Sequence, residues 1–80
     1  MILKVPKNSK YYPSLGAIIS NEEVEIFQML ANGHTIEHIS ETLLKSRRQI
    51  EHPIAKLRDD IGVHNTTHLI AELLRKKIIK

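Results

Sequence analysis

Apolar residues recur at spacings of three and four from about position 20 onward, which is the pattern of amphipathic helices. In the first such segment Ser20 and Glu23 have the spacing of a capping box, and Gly33 stands where the chain should leave the helix. The pattern predicts a helix over about 21–32. Its apolar face consists of Val24, Phe27, Leu30 and Ala31.

Two further helical segments follow with a short connection between them. Thr35 is placed to cap a short helix that ends near Leu44, and Ser46 and Gln49 then form a second capping box. Apolar residues follow at spacings of four, three and four, so we predict a helix over about 47–61. These residues are Ile50, Ile54, Leu57 and Ile61.

A last helix begins after Asn65 or Thr66, either of which can cap it. Its apolar face consists of Leu69, Ile70, Leu73 and Leu74. The pattern therefore predicts an all-α fold, with four helices in one domain over residues 19–80.

The residues before this domain have a different character. Residues 1–18 show no helical period and contain two prolines, so we expect a short N-terminal arm or linker that is ordered only where it packs on the domain. Three apolar residues of this arm could instead form a short strand or an apolar latch. They are Ile2, Leu3 and Val5.

Composition excludes several classes of protein. The chain has no cysteine, which excludes disulfides, cysteine-based zinc sites and thiol nucleophiles. No apolar run approaches the ~20 residues of a membrane-spanning helix, so we expect a cytoplasmic protein without membrane contact. The net charge is +3, and the positive charge is concentrated in residues 1–18, 45–58 and 75–80. Such blocks suit a polyanionic partner, although solvated helix ends would look the same.

Candidate catalytic and metal-binding groups are scarce. No pair of acids, glycine-rich phosphate loop or nucleophile beside a base stands out, so we expect neither an enzyme nor a bound cofactor. His34 and His38, like His64 and His68, have a spacing that can present two imidazoles to a metal ion. Neither pair has an obvious third ligand, which favours solvated or cap-associated histidines.

Two predicted helices joined by a turn of about three residues, with the small Ser40 where they cross, describe a helix-turn-helix. Residues 19–70 resemble the LuxR-type DNA-binding domain. The matching residues are Ser20, Glu23, Glu25, Ile26, Leu30, Ala31, Gly33, Thr35, Ile39, Leu43, Ser46, Ile50, Gly62, Val63 and Asn65. The resemblance implies a four-helix domain that binds double-stranded DNA sequence-specifically in transcription regulation.

In this resemblance residues 47–61 are the recognition helix, which lies in the major groove. A helical projection gives its outward face as Arg48, His52, Ala55, Lys56 and Asp59, with Glu51 and Arg47 on one flank. Arg48 is placed to pair with guanine and Glu51 to accept from a cytosine amino group, while lysines and Thr35 would contact phosphates. The residues predicted to contact DNA are Thr35, Lys45, Ser46, Arg47, Arg48, Gln49, Glu51, His52 and Lys56.

The recognition helix also departs from the family pattern. Glu51 and Pro53 stand where the family usually has a lysine and a histidine. A proline inside a helix costs ~3 kcal/mol, so we expect either a kink near residues 49–53 or a separate first turn. Together with Asp59 and Asp60, these departures support an alternative function: a protein-interaction module, a dimerising inhibitor or co-regulator that binds DNA weakly or not at all. RNA binding is disfavoured because few aromatic residues are present to stack on bases.

The resemblance also implies partners. Family members usually bind DNA as dimers through the last helix, so we expect a homodimer, with RNA polymerase or another regulator as a further partner. The residues expected to remain exposed for the dimer interface are Leu69, Glu72, Leu73 and Lys76. The family commonly joins this domain to a receiver or ligand-sensing domain, and the 80 residues leave open a stand-alone regulator or a piece of a longer one.

Overall fold

Four helices form within one residue of where the capping signals predict them. In the computed structural model, which describes residues 4–80, each helix begins directly after a capping side chain that accepts a hydrogen bond from the helix backbone. The caps are Ser20, Thr35, Ser46 and Asn65. The helices are α1 (Asn21–Ala31), α2 (Ile36–Leu43), α3 (Arg47–Ile61) and α4 (Thr66–Arg75).

A β-hairpin precedes the four helices, so the all-α prediction is confirmed for the helices and misses this hairpin. Strands β1 (Ser9–Tyr12) and β2 (Ala17–Ser20) pair antiparallel, with Ser9 opposite Ser20. The inward-facing Ala17 and Ile19 are buried in the core, which provides the apolar burial that a short hairpin needs. Strand β2 thus crosses the predicted boundary between arm and domain. Of the proposed apolar latch, Ile2 and Leu3 lie outside the described residues, and Val5 is exposed and outside both strands.

The core lies where the hairpin and all four helices meet. Its central side chains in the helices follow the predicted stripes, except that Ile26 was not on the predicted face of α1 and Leu74 of α4 is exposed. The buried hydrophobic residues of this core are Ala17, Ile19, Ile26, Phe27, Ile39, Ile50, Ile54, Leu57, Leu69, Leu73 and Ile79. Burial of this set, more than helix propensity, holds four short helices together.

The C-terminal residues fold back onto the domain beyond α4. Lys77 adopts a left-handed conformation (φ 59°), and the Ile78 amide donates to the Leu73 carbonyl at 3.0 Å. Ile79 is consequently buried. The Gln28 side chain of α1 then bonds both the N–H and the carbonyl of Lys80, at 2.8 and 2.7 Å. The tail therefore closes one end of the core against α1.

Helix α3 runs without interruption through Pro53, so the predicted separate first turn is wrong. Pro53 is buried and, with Ile19 and Phe27, lines a small crevice between α3, β2 and α1. The ring therefore contributes apolar packing against the hairpin, which offsets part of the cost of the missing backbone donor. No helix within residues 4–80 is long and apolar enough to cross a membrane.

Candidate nucleic-acid interface

The turn between α2 and α3 is held by a side chain as well as by backbone bonds. The Ser40 hydroxyl donates to the Lys45 carbonyl, and the Lys45 amide donates to the Ser40 carbonyl at 3.0 Å. Leu44, between them, adopts a left-handed conformation (φ 55°). These bonds fix the direction in which α3 leaves the turn, and hence the direction in which its N-terminal residues point.

The first turn of α3 is closed by a complete capping box. The Ser46 hydroxyl accepts from the Gln49 amide at 3.1 Å, and the Gln49 side-chain carbonyl accepts from the Ser46 amide at 2.9 Å. Both residues were predicted to contact DNA. In this conformation the Ser46 hydroxyl and the Gln49 carbonyl already accept hydrogen bonds that begin the helix, so any DNA contact is additional to this structural role.

The exposed face of α3 is the one that the helical projection predicts. Arg48, His52 and Lys56 are exposed, whereas the opposite stripe is buried in the core. Arg47 and Glu51 are exposed on the flank of this face. Arg47, Arg48, Glu51, His52 and Ala55 together border one shallow depression. A rigid helix therefore presents cationic side chains, one carboxylate and the Ala55 methyl group to solvent on a single surface.

Two of the predicted phosphate-binding cations are held in ion pairs. Arg47 Nε lies 2.8 Å from Glu51 Oε1, and Lys45 Nζ lies 3.1 Å from Glu22 Oε1. The Glu22–Lys45 pair joins α1 to the turn, and the sequence offers no signal for it because the partners are brought together only by packing. The Arg47–Glu51 pair is exposed and contributes about 0–1 kcal/mol, so a phosphate group can replace Glu51 at small cost, whereas Lys45 is half-buried in its pair with Glu22.

Arg48 and Lys56 form no ion pair within residues 4–80. Arg48 borders an open groove between the N-terminal ends of α1 and α3, together with Glu22, Lys45 and Ser46. The backbone N–H groups of the first turn of α3 add partial positive charge at the same end. This end of α3 is therefore where an anionic ligand would meet unpaired cationic charge.

Thr35 lies at the N-terminus of α2, and it is exposed. Its hydroxyl accepts from the His38 amide at 3.1 Å, so its first role is to cap that helix. The rings of His34 and His38 stack with centroids 4.8 Å apart. Residues 4–80 contain no group of three or more histidine, cysteine, aspartate or glutamate side chains that could hold a metal ion.

The predicted dimer residues divide into two sets. Leu69 and Leu73 are 0% exposed and belong to the core, so the expectation that they remain exposed for a second copy is wrong. Their stripe is buried where α4 packs against α1 and α3. Glu72 and Lys76 reach solvent and pair with each other at 3.9 Å, while Arg75 lies 3.0 Å from Glu72.

Comparison with protein families agrees with this geometry. The family described as bacterial regulatory proteins, luxR family (GerE), matches residues 17–73, which include β2, α1, α2, α3 and most of α4. The chain belongs to the luxR family. Its members are DNA-binding regulators of transcription rather than enzymes. Comparison with curated proteins gives no match. In this luxR-family domain α2 and α3 form the helix-turn-helix, while β1 and the segment before it lie outside the matched residues.

Proposed function

We propose that this luxR-family chain regulates transcription by binding double-stranded DNA sequence-specifically, with α3 in the major groove. The observation that carries the proposal is the exposed N-terminal face of α3, where Arg48 has no carboxylate partner within residues 4–80 and the opposite face is buried. A helix held in this way can enter the groove without rearrangement of the core.

Base recognition falls to the side chains at the centre of this face. Arg48 can donate two hydrogen bonds to one guanine, which is the commonest specific contact in the major groove. Glu51 can accept from a cytosine amino group once Arg47 has left the Glu51 carboxylate and contacts a phosphate instead. His52 lies one turn after Arg48 on the same face, and Gln49 retains its amide donor for adenine or a phosphate.

Phosphate contacts fall to the side chains that surround the centre. Lys45, Arg47 and Lys56 are the cations, and the N-terminal ends of α2 and α3, capped by Thr35 and Ser46, offer backbone N–H groups. Lys45 and Arg47 give up their ion pairs with Glu22 and Glu51 to do so. Binding should therefore weaken steeply as salt is added.

Dimerisation through α4 is the second part of the proposal. Since Leu69 and Leu73 are in the core, the predicted interface residues that remain available to a second copy are Glu72 and Lys76, which lie on one side of α4. An isologous pair through this surface would match a two-fold symmetric site in DNA. Sedimentation equilibrium with wild type and Lys76→Glu tests it: the variant places a second carboxylate beside Glu72 and should remain monomeric at concentrations where wild type dimerises.

The proposal is tested by exchange of arginine for alanine on two helices. Duplexes are first selected from a random-sequence pool with the wild-type chain. Arg48→Ala should then relax preference at one base-pair position by about 1–3 kcal/mol, whereas Lys56→Ala should weaken binding to all sequences alike. Arg75→Ala, the same change on α4, is the matched control and should leave the preference unchanged. Equal losses on every sequence for Arg48→Ala would contradict its role in base recognition.

A second candidate function is a protein-interaction module that has lost DNA binding. The observation that favours it is the neutralisation of Lys45 and Arg47 by Glu22 and Glu51, which lowers the positive charge at the end of α3. Its partner would be RNA polymerase or another regulator. A folded chain that binds no duplex at low salt would favour this candidate over the first.

A further inference from the structure

The described N-terminal segment is basic and has no acidic residue. Residues 4–10, termed here the basic segment, contain Lys4, Lys7 and Lys10, and all three are exposed. None of them forms an ion pair within residues 4–80. The Lys10 ammonium lies 5.3 Å from the centroid of the Tyr12 ring, so Lys10 alone has a favourable neighbour. The segment is thus an unpaired cluster of positive charge.

The hairpin places this charge on one side of α3. Strand β2 packs beside α3, where Ile18 and Ile19 border the same crevice as Pro53 and Lys56. Strand β1 pairs with β2 and forms the outer edge of the sheet. Lys56 belongs to the exposed face of α3, so the hairpin directly flanks the surface proposed to enter the major groove.

The point at which the basic segment leaves the hairpin is also fixed. The Asn21 amide donates to the Asn8 carbonyl at 2.8 Å, and Ser9 pairs with Ser20. The segment therefore departs at the N-terminal end of α1. Ser20 at that end borders the same open groove as Lys45 and Arg48 of the helix-turn-helix. Basic segment and recognition helix consequently meet at one edge of the molecule.

The two acidic residues in the first turn of α1 have other partners in the free chain. Glu22 pairs with Lys45 at 3.1 Å, and Glu23 accepts from the Ser20 amide at 2.9 Å within the capping box of α1. The lysines of the basic segment are thus available for an external anion. From Asn8 the four residues back to Lys4 can extend about 13–14 Å, enough to reach phosphates outside the groove occupied by α3.

We propose that the basic segment contacts backbone phosphates of the same duplex, beside the major groove that α3 enters, and so extends the footprint on DNA. This inference rests on the proposed function. The lysines lie outside residues 17–73, the part of the chain that matches the luxR family, so the contact is an addition made by this chain to the helix-turn-helix. It positions the domain and carries no base preference.

The salt dependence of duplex binding tests the proposal. Each phosphate contact contributes about 0.9 to the slope of log affinity against log salt, so Lys4→Gln/Lys7→Gln should lower the slope by about 1.8. Between about 50 and 200 mM salt, the factor by which affinity falls should be about twelvefold smaller for the variant than for wild type. Lys77→Gln/Lys80→Gln removes the same charge beyond α4 and should leave the slope unchanged. The probe is a random-sequence duplex pool.

The outcomes separate this inference from the proposed function. Wild-type binding with an unchanged slope for Lys4→Gln/Lys7→Gln overturns the basic-segment contact and leaves the role of α3 intact. Equal slope changes in the two double variants also overturn it, since net charge alone would then account for both. No binding by folded wild type overturns the proposed function, and the inference with it. Both lysines lie outside the strands, and thermal unfolding checks that the fold is unchanged.

Directed cleavage locates the contact. The chain has no cysteine, so Lys7→Cys offers a single thiol for an iron–EDTA group that cuts nearby DNA backbone. With a duplex selected from the pool, we expect cuts at one flank of the base pairs that Arg48→Ala affects. Lys77→Cys carries the same group as control and should cut weakly. Cuts of equal strength from both positions, or none from Lys7→Cys on a bound duplex, would contradict the placement.

Discussion

Leu44 combines two unfavourable properties in the helix-turn-helix. It is 91% exposed, and its left-handed conformation (φ 55°) brings Cβ close to the following carbonyl oxygen. That conformation costs roughly 1–2 kcal/mol for a residue other than glycine, and asparagine tolerates it better. Since the Leu44 side chain buries almost nothing, no packing offsets this cost.

Leu44→Asn should therefore raise the free energy of unfolding by about 0.5–1 kcal/mol, measured by urea denaturation. Leu44→Ala keeps a Cβ in the same backbone conformation and serves as the control, with a change of at most a few tenths of a kcal/mol. Destabilisation by Leu44→Asn would show that the exposed leucine makes a stabilising contact.

Individual side chains differ in how far the sequence predicts them. The exposure of Arg48, His52 and Lys56 follows from a helical projection, because the burial of Ile50 and Ile54 fixes the rotation of α3. The hydrogen bond from Ser40 to the Lys45 carbonyl and the Glu22–Lys45 pair do not follow from any periodicity. The first depends on the geometry of the turn after α2, and the second on how α1 packs against that turn; hydrophobic periodicity encodes neither.

At the scale of elements, Pro53 has two opposite effects on stability: it removes a helical hydrogen bond, and its ring packs in the core. Its ring removes one backbone donor, which costs ~3 kcal/mol in a helix interior. Compared with alanine, the ring adds two methylene groups, and their burial recovers about 1.6 kcal/mol at ~0.8 kcal/mol each. The ring also restricts the unfolded chain, which returns a further 0.4–1 kcal/mol, roughly. These terms leave a small net cost for proline at this position.

Pro53→Ala should accordingly raise the free energy of unfolding by about 0.5–1 kcal/mol and increase helicity by circular dichroism. Lys56→Ala, on the exposed face of the same helix, controls for helix propensity and should change stability by a few tenths of a kcal/mol at most. A loss of stability in Pro53→Ala would mean that packing of the ring against β2 and Phe27 outweighs the missing hydrogen bond.

The C-terminal tail is a second element whose role is structural. Ile79 is 3% exposed although it lies beyond α4. Ile79→Ala should lower the free energy of unfolding by about 2–5 kcal/mol, since it empties a buried site. Lys80→Ala keeps the backbone hydrogen bonds to Gln28 and should leave the free energy of unfolding unchanged in the same urea titration. A neutral Ile79→Ala would show that the tail does not contribute to the core.

Elements also differ in their predictability. All four helices follow from caps such as Ser20 and Ser46 together with apolar periods, because each signal is local. The hairpin does not, since strands of four residues are too short for their alternation to be distinguished from an irregular segment. The sequence also does not predict the burial of Ile79. That burial follows from a reversal of chain direction at Lys77, and lysine rarely adopts the positive φ that this reversal requires.

At the scale of the whole molecule, the core and the predicted dimer interface require the same two residues, Leu69 and Leu73. The sequence places both on one apolar face, but one face of α4 cannot serve the core and a partner at once. Small domains have few apolar faces to spare, so the core takes precedence. Among the exposed cations, those at the N-terminal end of α3 and in the basic segment form the surface proposed to bind DNA, whereas those of residues 75–80 lie at the end of α4 and in the tail.

The central claim is that this surface binds duplex DNA. Its most direct test is a fluorescence-anisotropy titration of a random-sequence duplex pool with the wild-type chain at about 50 and 200 mM salt. Three phosphate contacts, from Lys45, Arg47 and Lys56, predict a loss of affinity of at least about 40-fold between these salt concentrations. A folded chain that binds no duplex at the lower salt concentration would contradict the claim and favour a protein partner.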